Sequence, residues 1–136
     1  RELECAIIGS DVLIASQVGE IKFNADWYDY QTKYLATESN QIIIPADISP
    51  DISNEIRRLS IEACEAISVK GMARVDFFYS TDTEEIFINE VNTLPGFTSQ
   101  SMYPLLWEAS GLNLEELVAN LVTSAKKQLT PNQNQY

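Results

Sequence analysis

The period of apolar and polar positions changes several times along the chain, and each change marks an element. Leu3 to Ile8 is largely apolar, and apolar positions resume in Asp11 to Ala15 after Gly9-Ser10, which predicts a β-hairpin. Trp27 to Tyr34 is aromatic and acidic and carries Lys33, which reads as a loop over a site. Ile42 to Ile44 is a short strand closed by Pro45. From Ser49, with Pro50 at the first helical position, spacing near 3.6 predicts a helix to about Ser68. Its buried stripe would be Ile52, Ile56, Leu59, Ala63 and Ile67, with Lys70-Gly71 as the stop. A short helix spans Met102 to Ser110, and a last one starts with Asn113 as cap and Glu116 three residues on, burying Leu117, Val118, Leu121, Val122 and Ala125. The Asn- and Gln-rich tail Thr130 to Tyr136 is expected to be disordered.

Between the first two of these helices the pattern alternates with period two, and its polar positions carry chemistry. Arg74 and Asp76 share one face of an extended chain, as do Glu90 and Asn92. Folding about Thr83, in the polar turn Thr81-Asp82-Thr83, sets Arg74 opposite Asn92, Asp76 opposite Glu90 and Phe78 opposite Ile88. Val75, Phe77, Phe87 and Val91 form the other, apolar face. Two carboxylates opposed across a ladder repel, so a cation between them would relieve the strain. Two carboxylates and an amide oxygen are hard ligands that suit Mg2+, which keeps waters and borrows phosphate oxygens. The plain alternative is a solvated strand face on which Arg74 pairs with Asp76. Beyond the hairpin, Asn92 to Ser101 is rich in turn formers, and its backbone N–H groups and hydroxyls can converge beside the metal.

Composition narrows the class. At 136 residues and 45% hydrophobic, the chain suits one domain with a moderate core. A net charge of -11 argues against nucleic acid or an anionic membrane as partner. No apolar run approaches the ~18 residues of a membrane span, and no signal peptide is visible. The chain has no histidine, and Cys5 and Cys64 stand far apart, which disfavours zinc and a disulfide framework and favours a reducing cytoplasm. Both cysteines read as small buried hydrophobes.

The strings Met72 to Phe78 (MARVDFF) and Ile88 to Pro104 (INEVNTLPGFTSQSMYP) resemble the C-terminal half of the ATP-grasp domain in D-alanine-D-alanine ligases. The resemblance extends from Glu2 through Tyr28-Asp29-Tyr30 and Lys33-Tyr34 to the closing helix. The acidic Asp and Glu-x-Asn are shared with other ATP-grasp enzymes, whereas Thr93-Leu94-Pro95-Gly96-Phe97-Thr98 points to this ligase. It implies an α+β fold, a largely antiparallel sheet flanked by helices, over residues 1–129. The N-terminal domain and central lobe of the family are absent from this chain, which begins without methionine and reads as a piece of a longer polypeptide. Such a piece is expected to be inactive alone.

The resemblance also implies roles. Asp76, Glu90 and Asn92 would hold two Mg2+ ions, with Mn2+ as a substitute, that bridge the phosphates of ATP. Arg74 and the backbone N–H of Gly96 would stabilise the tetrahedral intermediate. Ser101 would hold the carboxylate of the second D-alanine, with a helix N-cap as its bland reading. Lys33 and Tyr34 would close over phosphates and second substrate, Glu2 would accept from the ribose, and Trp27, Phe78 and Ile88 would flank adenine unless they are simply core. The implied protein is a cytoplasmic, homodimeric enzyme of peptidoglycan synthesis. Joining D-alanine to D-lactate or D-serine is the nearer alternative, which Lys33-Tyr34-Leu35 disfavours, and a non-catalytic ATP-binding module the more distant one.

Overall fold

The structure, a computed structural model, describes residues 1–23 and 40–129. The loop expected over Trp27 to Tyr34 and the tail from Thr130 lie outside the described residues. Five strands form one antiparallel sheet: β1 (Glu2–Gly9), β2 (Leu13–Phe23), β3 (Asn40–Ile43), β4 (Gly71–Tyr79) and β5 (Ile86–Asn92), in the order β3-β2-β1-β4-β5. Three helices accompany them, α1 (Pro50–Ala66), α2 (Met102–Ala109) and α3 (Leu114–Leu129). This is the α+β arrangement expected from the sequence.

Alternation along β1 and β4 gives the sheet two faces. Leu3, Cys5, Ile7, Ala73, Val75 and Phe77 point to α1 and form one core with Ile56 and Cys64. Ala6 and Ile8 point the other way and form a second core with Met102, Tyr103, Leu106, Trp107 and Leu117. Tyr103 donates its hydroxyl hydrogen to the carbonyl of Ile7 at 3.0 Å, which fastens α2 to the central strand. The close approach of α2 also needs Gly19, where a Cβ would stand 2.9 Å from Leu106 Cδ2.

The helix ends follow the local chemistry of the sequence. Ser49 caps α1 by accepting from the Ile52 N–H at 3.3 Å, directly before Pro50. Asn113 and Glu116 exchange side-chain-to-backbone bonds at 3.0 and 3.2 Å, the reciprocal box read from the sequence.

Several boundaries depart from expectation. The second strand begins at Leu13 and runs on to Phe23, because a bulge opposite Cys5 to Ile7 lets Ser16 Oγ accept the Ala6 N–H at 2.9 Å and so absorb a polar residue. Helix α1 stops at Ala66, well short of Lys70-Gly71, where Ser68 takes a positive φ of 56°. Ile67 therefore leaves the stripe and is 57% exposed, while Ser60 and Cys64 are buried instead. On α3 only Leu117 is buried and Leu121 partly so, whereas Val118, Val122 and Ala125 stay exposed, because the helix packs along a single flank against the second core.

Candidate active site

The outer half of the sheet's second face carries the polar constellation. Register pairs Glu2 with Phe78, Glu4 with Asp76 and Ala6 with Arg74, so Glu2, Glu4, Arg74, Asp76 and Phe78 share the face that α2 and α3 cover further along. Across the β4–β5 ladder Arg74 stands opposite Asn92 and Asp76 opposite Glu90, as the spacing predicts. A cleft of about 880 Å³ at the other end of the sheet, between the β1–β2 turn and α3, takes in none of these residues.

Beyond Asp76 the predicted register fails. The pairing skips Asn89, so Phe77 meets Ile88, and Phe78 meets Phe87 rather than Ile88. Phe87, expected in the core, is consequently 53% exposed, and Ile86 packs against the core in its place. Phe78 and Ile88, at 48% and 45% exposure, are not core residues, but the shift pairs Ile88 with Phe77 on the α1 side, so the two do not share the face expected of them.

The centre of the site is Arg74. Its Nε–H donates to Asp76 Oδ1 at 2.7 Å and its Nη2 to Oδ2 at 2.8 Å, a bidentate pair. The plain reading of the hairpin therefore exists as geometry, and it occupies both oxygens of Asp76. Glu4 is the third member, and it was not singled out from the sequence because Leu3 to Ile8 reads as an apolar strand. A glutamate in the middle of such a run was the available signal. Glu4 is 1% exposed, and its Oε2 lies 2.9 Å from Arg74 Nε. Nε carries one hydrogen, and that hydrogen is directed to Asp76, so Oε2 has charge attraction without a hydrogen bond.

This geometry sets the electrostatics. Burial first, and then the Asp76 carboxylate, push the Glu4 carboxyl up to about 7 against the opposing pull of Arg74. Glu2 is raised too, chiefly by burial and then by Asp76. Arg74 is held above its ordinary value, foremost by its hydrogen bond to Asp76.

Glu90 is exposed, and Asn92 is half-buried with its Oδ1 accepting the Leu94 N–H at 3.1 Å, which fixes the amide. Past Asn92 the chain folds back on Ser101, whose Oγ accepts the Thr98 N–H at 3.0 Å and lies 2.8 Å from Thr98 Oγ1. Ser101 occupies the N-cap position of α2 but makes no cap bond to that helix. Gly96 has no positive φ; its demand is for space, since a Cβ there would lie 3.1 Å from Ser101 Oγ. Lys33, Tyr34 and Trp27 lie outside the described residues.

A divalent cation fits the donor set. Asp76, Glu90 and Asn92 offer carboxylate and amide oxygens from neighbouring positions of the β4–β5 ladder; Glu90 is exposed, whereas Asp76 is 3% exposed and both its oxygens accept from Arg74. Among the described residues no group of three His, Cys, Asp or Glu could enclose an ion, so waters or phosphate oxygens would complete the shell.

Comparison with known proteins identifies the family of this chain. The family model described as D-ala D-ala ligase C-terminus matches residues 1–123. A D-alanine--D-alanine ligase of Prochlorococcus marinus (strain NATL2A) is 61% identical over 127 residues, which is 93% of this chain and 36% of the relative's length. That of Parasynechococcus marenigrum (strain WH8102) is 58% identical over 125 residues, 92% of this chain and 35% of the relative. Among solved structures, the D-alanine-D-alanine ligase from Coxiella burnetii superposes with a TM-score of 0.78 at 35% identity, covering 94% of this chain and 32% of that one. The VanG D-Ala:D-Ser ligase from Enterococcus faecalis gives 0.78 at 37%, covering 90% and 35%. The chain thus spans about a third of the relatives it matches, and it belongs to the D-alanine-D-alanine ligase C-terminal family.

Proposed function

We propose that the protein carrying this lobe is an ATP-dependent ligase that joins two D-alanines through an acyl phosphate to make D-alanyl-D-alanine for peptidoglycan. The observation that carries this reading is the set Arg74, Asp76, Glu90 and Asn92 on one face of the β4–β5 ladder, with Asp76 buried and Glu90 exposed, continuing into the Gly96 to Ser101 turn. A pure ATP-binding module has no use for an arginine poised beside an acyl-transfer site. The remaining lobes would supply the first D-alanine and the rest of the nucleotide contacts, so residues 1–129 acting alone would have no ligase activity.

In this mechanism Asp76, Glu90 and Asn92 would hold two Mg2+ ions, whose charge would offset that on the transferring phosphoryl group. Glu2 would accept from the ribose hydroxyls, while Phe78 and Trp27 would flank the adenine and Ile88, turned to the other face, would not. A carboxylate oxygen of the first D-alanine bonds to the γ-phosphorus and ADP leaves. Ser101 then orients the second D-alanine by its carboxylate, so that its amine attacks the acyl carbon. Arg74 and the Gly96 N–H stabilise the oxyanion that forms, and phosphate leaves as the amide closes. Lys33 and Tyr34 close over the site and exclude water that would hydrolyse the acyl phosphate.

The acceptor is the finer question. The likeness to a D-Ala:D-Ser ligase keeps D-serine in view, whereas Lys33-Tyr34-Leu35 favours the dipeptide. Among the described residues no helix is long and apolar enough to cross a membrane; a cytoplasmic homodimer completes the proposal. The test is mass spectrometry of products from the full-length protein given Mg-ATP with D-alanine, D-lactate and D-serine together. D-alanyl-D-alanine is expected to dominate; a depsipeptide or D-alanyl-D-serine would change the acceptor, and the absence of any joined product and of ADP release would sink the ligase reading. Because Glu90 is exposed, Glu90→Gln should leave the melting temperature unchanged while turnover falls about 100-fold or more.

A further inference from the structure

We propose that Glu4 is a positioning residue that takes over Arg74 when a divalent cation claims Asp76. The inference rests on the reading of Asp76 as a metal ligand and adds a residue to it. Arg74 uses both oxygens of Asp76, at 2.7 and 2.8 Å. A cation ligated by Asp76 brings a second positive charge up to the guanidinium, which weakens the bidentate pair as the metal enters. An arginine released at that moment would swing free, away from where a negative charge later develops. Glu4 prevents this. Its Oε2 is buried, without a hydrogen-bond partner, and already 2.9 Å from Arg74 Nε. Turning the Nε–H from Asp76 to Glu4 brings it to an acceptor already within hydrogen-bond distance of Nε, and it satisfies the buried carboxylate oxygen that the resting site leaves unbonded. The site is thus a relay of one cation between two carboxylates, with the metal ion as displacer.

The experiment titrates Mn2+ alone into the full-length protein and its variants, reading affinity by water-proton relaxation. Glu4→Gln keeps the shape and removes the charge, and Arg74 retains Asp76, so the fold is kept. Affinity should fall about tenfold, because the arginine then competes for Asp76 with nowhere else to go. Glu2→Gln removes one charge from the same face without an ion pair to Arg74, and should change the affinity little. Equal losses in the two variants would mean that Glu4 contributes only net charge, and would overturn the proposal. Asp76→Asn separates the two levels: if it binds Mn2+ as tightly as the parent, the metal reading itself is wrong and the relay falls with it. A second readout needs no variant. On addition of Mg2+, the Arg74 Nε–H resonance should shift yet stay protected from exchange, and its loss would show that nothing receives the arginine.

Discussion

Glu4 and Glu20 are the two buried glutamates of the sheet, 1% and 2% exposed, on adjacent strands and opposite faces. Glu20 has a dedicated partner: Arg1 donates to it through Nε at 2.8 Å and Nη2 at 2.7 Å. That hydrogen-bonded pair, against a smaller cost of burial, holds its carboxyl below the ordinary range. Glu4 has only a share in Arg74, whose hydrogen bonds go to Asp76, and its carboxyl is pushed up to about 7. Equal surface exposure therefore goes with opposite electrostatics: Glu4 lies deeper and bears the larger cost of burial, and its cation is committed elsewhere. A carboxylate with its own arginine holds strands together. One left waiting beside a shared arginine costs stability, and on the proposal above it is retained for the moment that arginine moves.

The largest effect should come from removing the shared cation. Arg74→Ala leaves Glu4 and Asp76 buried and unpaired, at a cost of about 3–5 kcal/mol at neutral pH by urea denaturation. Arg74 is one of the charges that hold the Glu4 value down, so without it Glu4 keeps its proton at neutral pH and the stranded charge is that of Asp76; adding Glu4→Gln to that background should therefore change little. A large recovery at neutral pH would mean that Glu4 is charged there, and the contrast with Glu20 would collapse.

A smaller effect follows from the pH dependence of Glu4 in the metal-free protein, where Asp76, Arg74, Glu2 and Glu90 are the charges that act on it. The folded chain keeps the Glu4 proton to about pH 7, whereas the unfolded chain releases it near 4.5. Stability from this group is therefore full in acid and is lost as pH rises from the unfolded to the folded value. Glu4→Gln does not titrate, so it should match the parent in acid and exceed it above neutrality by up to about 3 kcal/mol. A parent and variant that run parallel across this range would contradict the raised value.

Much of this contrast was within reach of the sequence. The pairs Arg74–Asn92 and Asp76–Glu90, the Ser49 cap and the Asn113–Glu116 box are local patterns, fixed by period and by hydrogen-bonding chemistry within a few residues. What escaped depends on neighbours distant in sequence. The bulge at Asn89 exposes Phe87, and nothing in Ile86-Phe87-Ile88-Asn89-Glu90 marks which residue will be left unpaired. The strand to Phe23 was invisible because Ser16 and Glu20 look like solvent-facing residues until the Ala6 N–H and Arg1 are seen to satisfy them. Glu4 was hidden for the same reason: alternation assigns it a face, but only β4 and β5 reveal that the face holds Arg74, Asp76 and Glu90.

The smallest effect belongs to Glu20, and it bears most directly on the comparison because its sign is opposite. Glu20→Gln keeps an acceptor for Arg1 but loses the charge, which should cost about 1.5–3 kcal/mol at neutral pH. The folded carboxyl lies below its unfolded value, so this stabilisation is present above the unfolded value and disappears as pH falls through the folded one. In sufficient acid Glu20 is protonated in both states and resembles glutamine, so parent and variant should converge there. Denaturation midpoints from about pH 3 to pH 8 test this, with divergence on the alkaline side in both series but in opposite directions. The Glu4 variant should rise above the parent and the Glu20 variant should fall below it. If both fell below, Glu4 too would be held by a committed partner, and the free acceptor that the arginine relay requires would not exist.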